Sequence, residues 1–258
     1  MNYNTKLNCC QEVAAEIALD AVKKTFPKVF QITKRYGDRH IKITGLSGNP
    51  AFRRPRENAG ARGEVNDEKL QSNLIRTKAK IFELAICNEW EHYITLTIDG
   101  AKFGRYDLKE YYKAFGYWLQ NYNRKNRVKI VYLLIPEMHK DGAWHMHGLI
   151  SGIPPAALRH FKHKFYNWID YEEKFGFCSV ERVRSKEGVS KYVTKYISKD
   201  MASRNIALNA KLYYCSKGLN RCVEVSRGFI VAANMTWDYE GEYAASLWVE
   251  IDEHGEIK

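Results

Sequence analysis

The sequence predicts an α+β protein: a split βαβ antiparallel sheet with helices packed mainly on one face, preceded by an N-terminal extension. Three observations carry this. From Tyr93 onward, short runs rich in β-branched and aromatic residues alternate with amphipathic stretches in the order strand, helix, strand, strand, helix, strand. The two middle strands are joined by a turn containing Asp141-Gly142, which reads as a hairpin. The longest apolar runs, such as KIVYLLIPE, suit strands and are far too short to cross a bilayer.

Before that alternation, residues 10–25 have helical periodicity. VFQITKRY and RHIKIT flank a Gly-Asp turn and read as a hairpin. GLSGNPAFRRPRENAGARGEVND is a basic loop rich in Gly, Pro, Asn and Arg, and EKLQSNLIRTKAKIFELAICNEW is a helix of about twenty residues. Then follow strand YITLTID, helix DLKEYYKAFGYWLQNYNRK, strands KIVYLLIPE and WHMHGLIS, and helix PPAALRHFKHKFYNWIDYEEK, whose leading proline suits a first turn. FCSVERV is the fourth strand, EGVSKYVTKYISKD a helix and CVEVSR a final strand. The expected organisation is an N-terminal extension over residues 1–89, a principal domain over 90–226 and an acidic segment over 227–258.

Net charge is +11, unevenly spread. From Asp238 onward there are seven acidic residues and one lysine, so the first 237 residues carry 40 basic against 23 acidic side chains. A basic body with 17 Tyr, 11 Phe and 6 Trp suits nucleic acid, because cations neutralise phosphates and aromatic faces stack on unpaired bases. Composition of this kind also occurs in basic proteins that bind none. The six cysteines show no C-x-x-C spacing, which argues against a zinc ribbon or a thioredoxin-type site and fits a reducing cytoplasm. The N-terminus lacks the basic-then-apolar order of a secretory signal. No G-x-x-x-x-G-K-[ST] phosphate loop marks a helicase or ATPase.

In GAWHMHGLI, His145 and His147 stand two apart in an otherwise apolar run. On a strand they share one face, so a metal can take a nitrogen from each. An H-x-H pair alone equally describes two half-exposed sheet histidines. A carboxylate as third ligand would complete a facial set with open positions. If Lys140-Asp141-Gly142 is a three-residue loop with Gly142 left-handed, Glu137 lies directly opposite His145 and diagonal to His147. If Asp141-Gly142 is instead a two-residue type I′ turn, Met138 faces His145 and Glu137 points away. The metal reading therefore requires the longer loop, with Glu137 as third ligand and His139 as a supporting partner.

KYVTKYISKD places Tyr192 and Tyr196 four apart, on one helical face, each opening a Y-x-x-K unit with Lys195 and Lys199. Val189, Val193 and Ile197 form the adjoining apolar stripe, so the helix can dock and leave both phenols at the rim. Boundary tyrosines with wet hydroxyls are common, and this helix alone fits that description too. A phenol, with its pKa near 10, attacks a phosphodiester only with cationic help, which a metal and nearby lysines supply. Arg182, Arg184 and Lys186 are candidate phosphate contacts.

The strand YITLTID, the pair HMH preceded eight residues earlier by Glu137, and the later YVTKYISK resemble the three ordered motifs of HUH endonucleases, the rolling-circle replication initiators of phages, plasmids and small circular DNA viruses. The paired tyrosines look most like the phage type. The resemblance covers roughly residues 90–226. It implies that Glu137, His145 and His147 bind Mg²⁺ or Mn²⁺ and polarise a phosphate of single-stranded origin DNA. It further implies that a tyrosine, Tyr196 first and Tyr192 as alternate, forms a 5′-phosphotyrosine and frees a 3′-hydroxyl for a host polymerase. Unwinding would fall to a host helicase, in the cytoplasm of a bacterial host and with no membrane involved. A relaxase or a single-strand DNA transposase would use the same chemistry. Relaxases usually carry three histidines, however, and such transposases one tyrosine. A non-catalytic nucleic-acid-binding module is the reading from another class, since RNA-recognition domains share this ferredoxin-like sheet plan. Those domains place aromatics where His145, His147 and Glu137 are expected here.

Overall fold

The computed structural model describes residues 28–46, 67–196, 211–231, 236–240, 244–252 and 254–257. The helix expected at 10–25 and nearly all of the basic loop lie outside the described residues. The chain divides into two compact units, residues 60–219 and residues 1–59 with 220–258. These limits differ from the expected boundaries after residues 89 and 226.

In the smaller unit, β1 (Lys28–Tyr36) and β2 (His40–Leu46) form the expected hairpin. Val223–Val231 (β10) pairs with β1, and Ala244–Glu250 (β12) with β2, giving a five-stranded antiparallel sheet β10-β1-β2-β12-β11, where β11 is Tyr239–Glu240. The segment CVEVSR is thus a strand, but of this sheet, and part of the acidic segment is also built into it.

The larger unit opens with helix α1 (Asp67–Ile86), twenty residues as expected. Asn88 and the Trp90 indole donate to the carbonyls of Leu84 and Ala85, satisfying acceptors that the end of the helix would otherwise orphan. The central sheet has seven antiparallel strands in the order β6-β7-β8-β3-β5-β4-β9. Its inner four, β8 (Cys178–Arg182), β3 (His92–Thr97), β5 (Trp144–Ser151) and β4 (Val131–Met138), are the four strands of the expected split βαβ plan. Edge strand β9 is Tyr214–Cys215.

Helix α2 (Leu108–Asn126) starts where the Asp107 carboxylate accepts from the Glu110 N–H, and it ends at Arg127 in the left-handed conformation. Tyr111, Phe115, Leu119 and Tyr122 recur at helical spacing and are buried against Ile94, Leu96, Met146 and Ile150. The opposite face of the sheet presents Leu133, Ile135 and Leu149. These pack with Leu74, Ile81, Leu84 and Ala85 of α1 and with Val193 of the short helix α4 (Lys186–Val193). Leu149 lies two and four residues beyond His147 and His145, so this second core seals one end of the histidine face and leaves the histidines at the other.

One element departs from the expected helix. Most of PPAALRHFKHKFYNWIDYEEK is a β-hairpin, β6 (Leu158–Lys162) and β7 (Phe165–Trp168), and only Ile169–Lys174 (α3) forms an α-helix. His163, at φ 48°, supplies the left-handed turn residue. Pairing β7 onto β8 buries Trp168 fully and satisfies backbone groups along that edge, a tertiary gain that local helical periodicity does not register. Among the described residues no helix is long and apolar enough to cross a membrane.

Candidate metal and tyrosine site

The site is built on β5, between β4 and β3. In the β3–β5 ladder Thr95 stands opposite His147 and Thr97 opposite His145. The Thr95 hydroxyl lies 3.1 Å from Nδ1 of His147, where the Tyr93 hydroxyl also approaches to 3.3 Å, and Thr97 lies 3.4 Å from Nδ1 of His145. Each ring is therefore held by its Nδ1 edge from β3. A hydroxyl accepting from Nδ1–H leaves Nε2 as the lone-pair nitrogen, the tautomer that a metal ligand needs. Sequence reading missed Tyr93, Thr95 and Thr97 as functional side chains. Their signal was the alternation in YITLTID, polar at 93, 95 and 97 against apolar Ile94 and Leu96.

The β4–β5 turn takes the longer of the two forms considered. Glu137 pairs with His145 and Met138 with Trp144, the His139 N–H donates to the Ala143 carbonyl, and Gly142 sits at φ 84°. Asp141 anchors the loop by accepting from the Ala143 N–H and pairing with Arg105 at 3.4 Å. With this register, a Glu137 carboxylate oxygen comes within 2.7 Å of Nε2 of His147. That nitrogen is buried, and the carboxylate lies outside hydrogen-bonding geometry, so Nε2 has no hydrogen-bond partner. A buried lone-pair nitrogen beside a carboxylate fits a cation. The His145 ring instead stacks on His139, with centroids 3.8 Å apart and 9° between planes. Among the described residues no three His, Cys, Asp or Glu side chains converge on one point as they stand. Two donors are therefore together, and the third is on the same face with its ring held by Thr97 and His139. Burial pushes His145 down to about 4, helped by His139 and His147 and opposed by Glu137. Burial likewise lowers His147 against the pull of Glu137. Both rings are neutral near pH 7.

Helix α4 begins at Ser185, whose hydroxyl accepts from the Gly188 N–H, and after Val193 it tightens into a 3₁₀ turn over Thr194–Tyr196. Val193 docks into the second core, and this brings the tyrosines over the histidine strand. The Tyr196 ring lies flat on His147, with centroids 4.2 Å apart and 11° between planes. The Tyr192 and Tyr196 hydroxyls are 3.0 Å apart, and Tyr93 flanks both rings. Burial, then the hydrogen bond from Tyr192, pushes the Tyr196 phenol up to about 12. The Lys195 ammonium sits 5.3 Å over the Tyr192 ring. Lys199 lies outside the described residues.

The structure therefore brings together Glu137, His147, Tyr196 and Tyr192, with His145 and Lys195 alongside. It does not bring the expected phosphate contacts to them. Arg182 stands opposite His92, on the face of Ile94 and Leu96, the reverse of the histidine face. Arg184 is exposed beyond the end of β8, and the Lys186 ammonium is held by the Glu89 carboxylate.

Residues 91–201 match a family model described as replication-associated protein of the ORF2 type, a span of somewhat less than half the chain. No curated protein and no solved structure matches the chain. The matched span, which holds the histidine strand, Glu137 and both tyrosines, makes the chain similar to replication-associated proteins and supports a rolling-circle replication initiator family.

Proposed function

We propose that this chain initiates rolling-circle replication by nicking and rejoining single-stranded origin DNA through a 5′-phosphotyrosine. The observation that carries the reading is the stack of Tyr196 on His147, whose buried Nε2 faces the Glu137 carboxylate. Glu137, His145 and His147 would hold Mg²⁺ or Mn²⁺, which when bound draws charge from the scissile phosphate. The Tyr196 oxygen attacks phosphorus, the bond to the 3′-oxygen breaks, the phenol proton leaves to solvent and the 3′-oxygen takes one up. The phosphodiester energy is kept in the tyrosine ester, so rejoining consumes no nucleotide. Because burial raises the Tyr196 phenol to about 12, attack depends on added positive charge. Lys195 and Lys199 are the side chains of this chain assigned to that task. Tyr192, 3.0 Å away, is the second nucleophile that frees the first. A host helicase and polymerase would open and extend the strand.

The test is a denaturing gel of the protein with labelled single-stranded DNA and Mn²⁺, beside Tyr192→Phe, Tyr196→Phe and the double variant. The expected result is a covalent adduct, absent with chelator and in the double variant, and weakened more by Tyr196→Phe on a first cut. Cleavage without an adduct would mean a hydrolytic nuclease. Binding without cleavage over a broad panel of strands would mean a recognition module.

A further inference from the structure

The β6–β7 hairpin ends the central sheet in a cluster of rings that no core explains. Phe161 meets Phe177 edge to face at 5.0 Å and stacks near Phe165 at 6.2 Å. Phe161 and Phe177 remain 43% and 42% exposed. The register places this cluster on the histidine face. Phe165 pairs with Glu181, Glu181 with Tyr93, and Tyr93 shares its face with Thr95 and Thr97 beneath the histidines. The Thr97 N–H bonds the Phe177 carbonyl, which fixes Phe177 at the level of His145.

The hairpin LRHFKHKFYNW holds two lysines, an arginine and two histidines with no carboxylate. Arg159 is paired with Glu172 and Lys164 with Glu181, while Lys162, paired across from Phe165, has no acidic partner among the described residues. Charge on an edge strand can serve only to block edge-to-edge pairing, and Lys162 alone would do that. Exposed phenylalanines do the reverse, since they add an apolar invitation to the same edge. Rings beside lysines are the combination that holds an unpaired strand, the rings stacking on bases and the ammonium groups meeting phosphates.

We propose that Phe161 and Phe177 form a stacking site for a base of the single-stranded DNA that reaches the histidine and tyrosine centre. This rests on the reading of that centre as a DNA-nicking site. From β5 to β7 is three strand spacings, about 14 Å at ~4.8 Å each. At roughly 3.4 Å per nucleotide of a stacked strand, the captured base lies within about four nucleotides of the cut. Lys164 neutralises Glu181 on the way, so the intervening face does not repel the backbone. The site fits single strands, because a paired base has no free face to offer.

The experiment uses the full chain, chelator and a fluorescein-labelled single-stranded oligonucleotide read by anisotropy, with the duplex of the same sequence in parallel. Phe161→Ala and Phe177→Ala should each weaken single-strand binding about five-fold or more. Phe161→Trp should bind as tightly as the parent, with its indole emission quenched by the strand. Phe161→Leu keeps bulk without a ring face and should behave as the alanine variant. Unchanged single-strand affinity in both alanine variants overturns the proposal, and so does an equal loss on duplex. The covalent-adduct gel on the parent protein separates the two readings. An adduct with unchanged alanine variants sinks the stacking site alone, whereas lost binding without any adduct sustains the stacking site and sinks the nicking reading.

Discussion

Thr95→Val isolates the hydroxyl that holds His147. Valine keeps the shape and β-branching of threonine, so the strand and its packing stay, and only the 3.1 Å contact to Nδ1 is lost. The Tyr93 hydroxyl at 3.3 Å remains on the same nitrogen, so the ring is loosened rather than released. The cost in folding stability is that of one partly buried hydrogen bond, about 0.5–1.5 kcal/mol. The cost at the site is larger in kind, because a group behind a metal-binding histidine sets both its tautomer and its ring plane. Loss of such a group typically weakens metal affinity about 10–100-fold. Titrating Mn²⁺ against adduct formation should therefore raise the half-saturating concentration by that factor, with the rate at saturation within a few-fold of the parent. Calorimetric titration with Mn²⁺ alone should shift equally. Thr97→Val, which loses a 3.4 Å contact, should do less. An unchanged Mn²⁺ requirement in both variants would refute the argument that β3 positions the histidines for a metal.

Two predictions concern the scaffold. A methyl on Gly148 would fall 1.9 Å from the Leu133 carbonyl oxygen, so Gly148→Ala must push β4 from β5 beside the site; it should cost about 3 kcal/mol or more in urea unfolding, and a loss under about 1 kcal/mol would contradict this. Burial raises the phenols of Tyr111 and Tyr171, which bond each other at 2.8 Å, above their unfolded value near 10. Their stability is therefore complete below pH 10 and falls as pH rises through it, by about 1.4 kcal/mol each at pH 11. The double variant Tyr111→Phe/Tyr171→Phe should flatten the decline between pH 9 and 11 by roughly 3 kcal/mol, and an equal decline in parent and variant would disprove it.

Strands whose pattern is set by one buried face were legible: YITLTID, KIVYLLIPE and WHMHGLIS lie where alternation put them. The turn was legible as a choice between two registers, because one residue of slip moves every side chain to the other face. Left-handed Gly142 and the Glu137–His145 pair answer that choice. The hairpin at 158–168 was not legible, since its stability comes from β8, a strand that follows it in sequence. Nor was the destination of Val223–Val231, because a strand's period says which face is buried and nothing about which sheet accepts it. In the site, sequence spacing found the residues that carry chemistry but not Thr95 and Thr97, whose role exists only across a ladder. Spacing also drew in Arg182, close to the site in sequence yet on the reverse face of the sheet.

The tyrosines are placed by contacts outside their own helix. Eight residues of α4 are too few to be stable alone, so the helix is held by its Ser185 cap and by Val193 in the second core. Four residues of α-helix would set two side chains about 40° apart, whereas a 3₁₀ turn opens that angle. The turn tightens between Tyr192 and Tyr196, yet their hydroxyls meet at 3.0 Å, because the Tyr196 ring is seated on His147 and Tyr93 fills the space beside both. The position of the first nucleophile is thus tied to the same histidine whose Nε2 faces Glu137. A change that rotates His147 should disturb metal affinity and tyrosine placement together. A change confined to Tyr192 should leave the first cut standing and impair only the second.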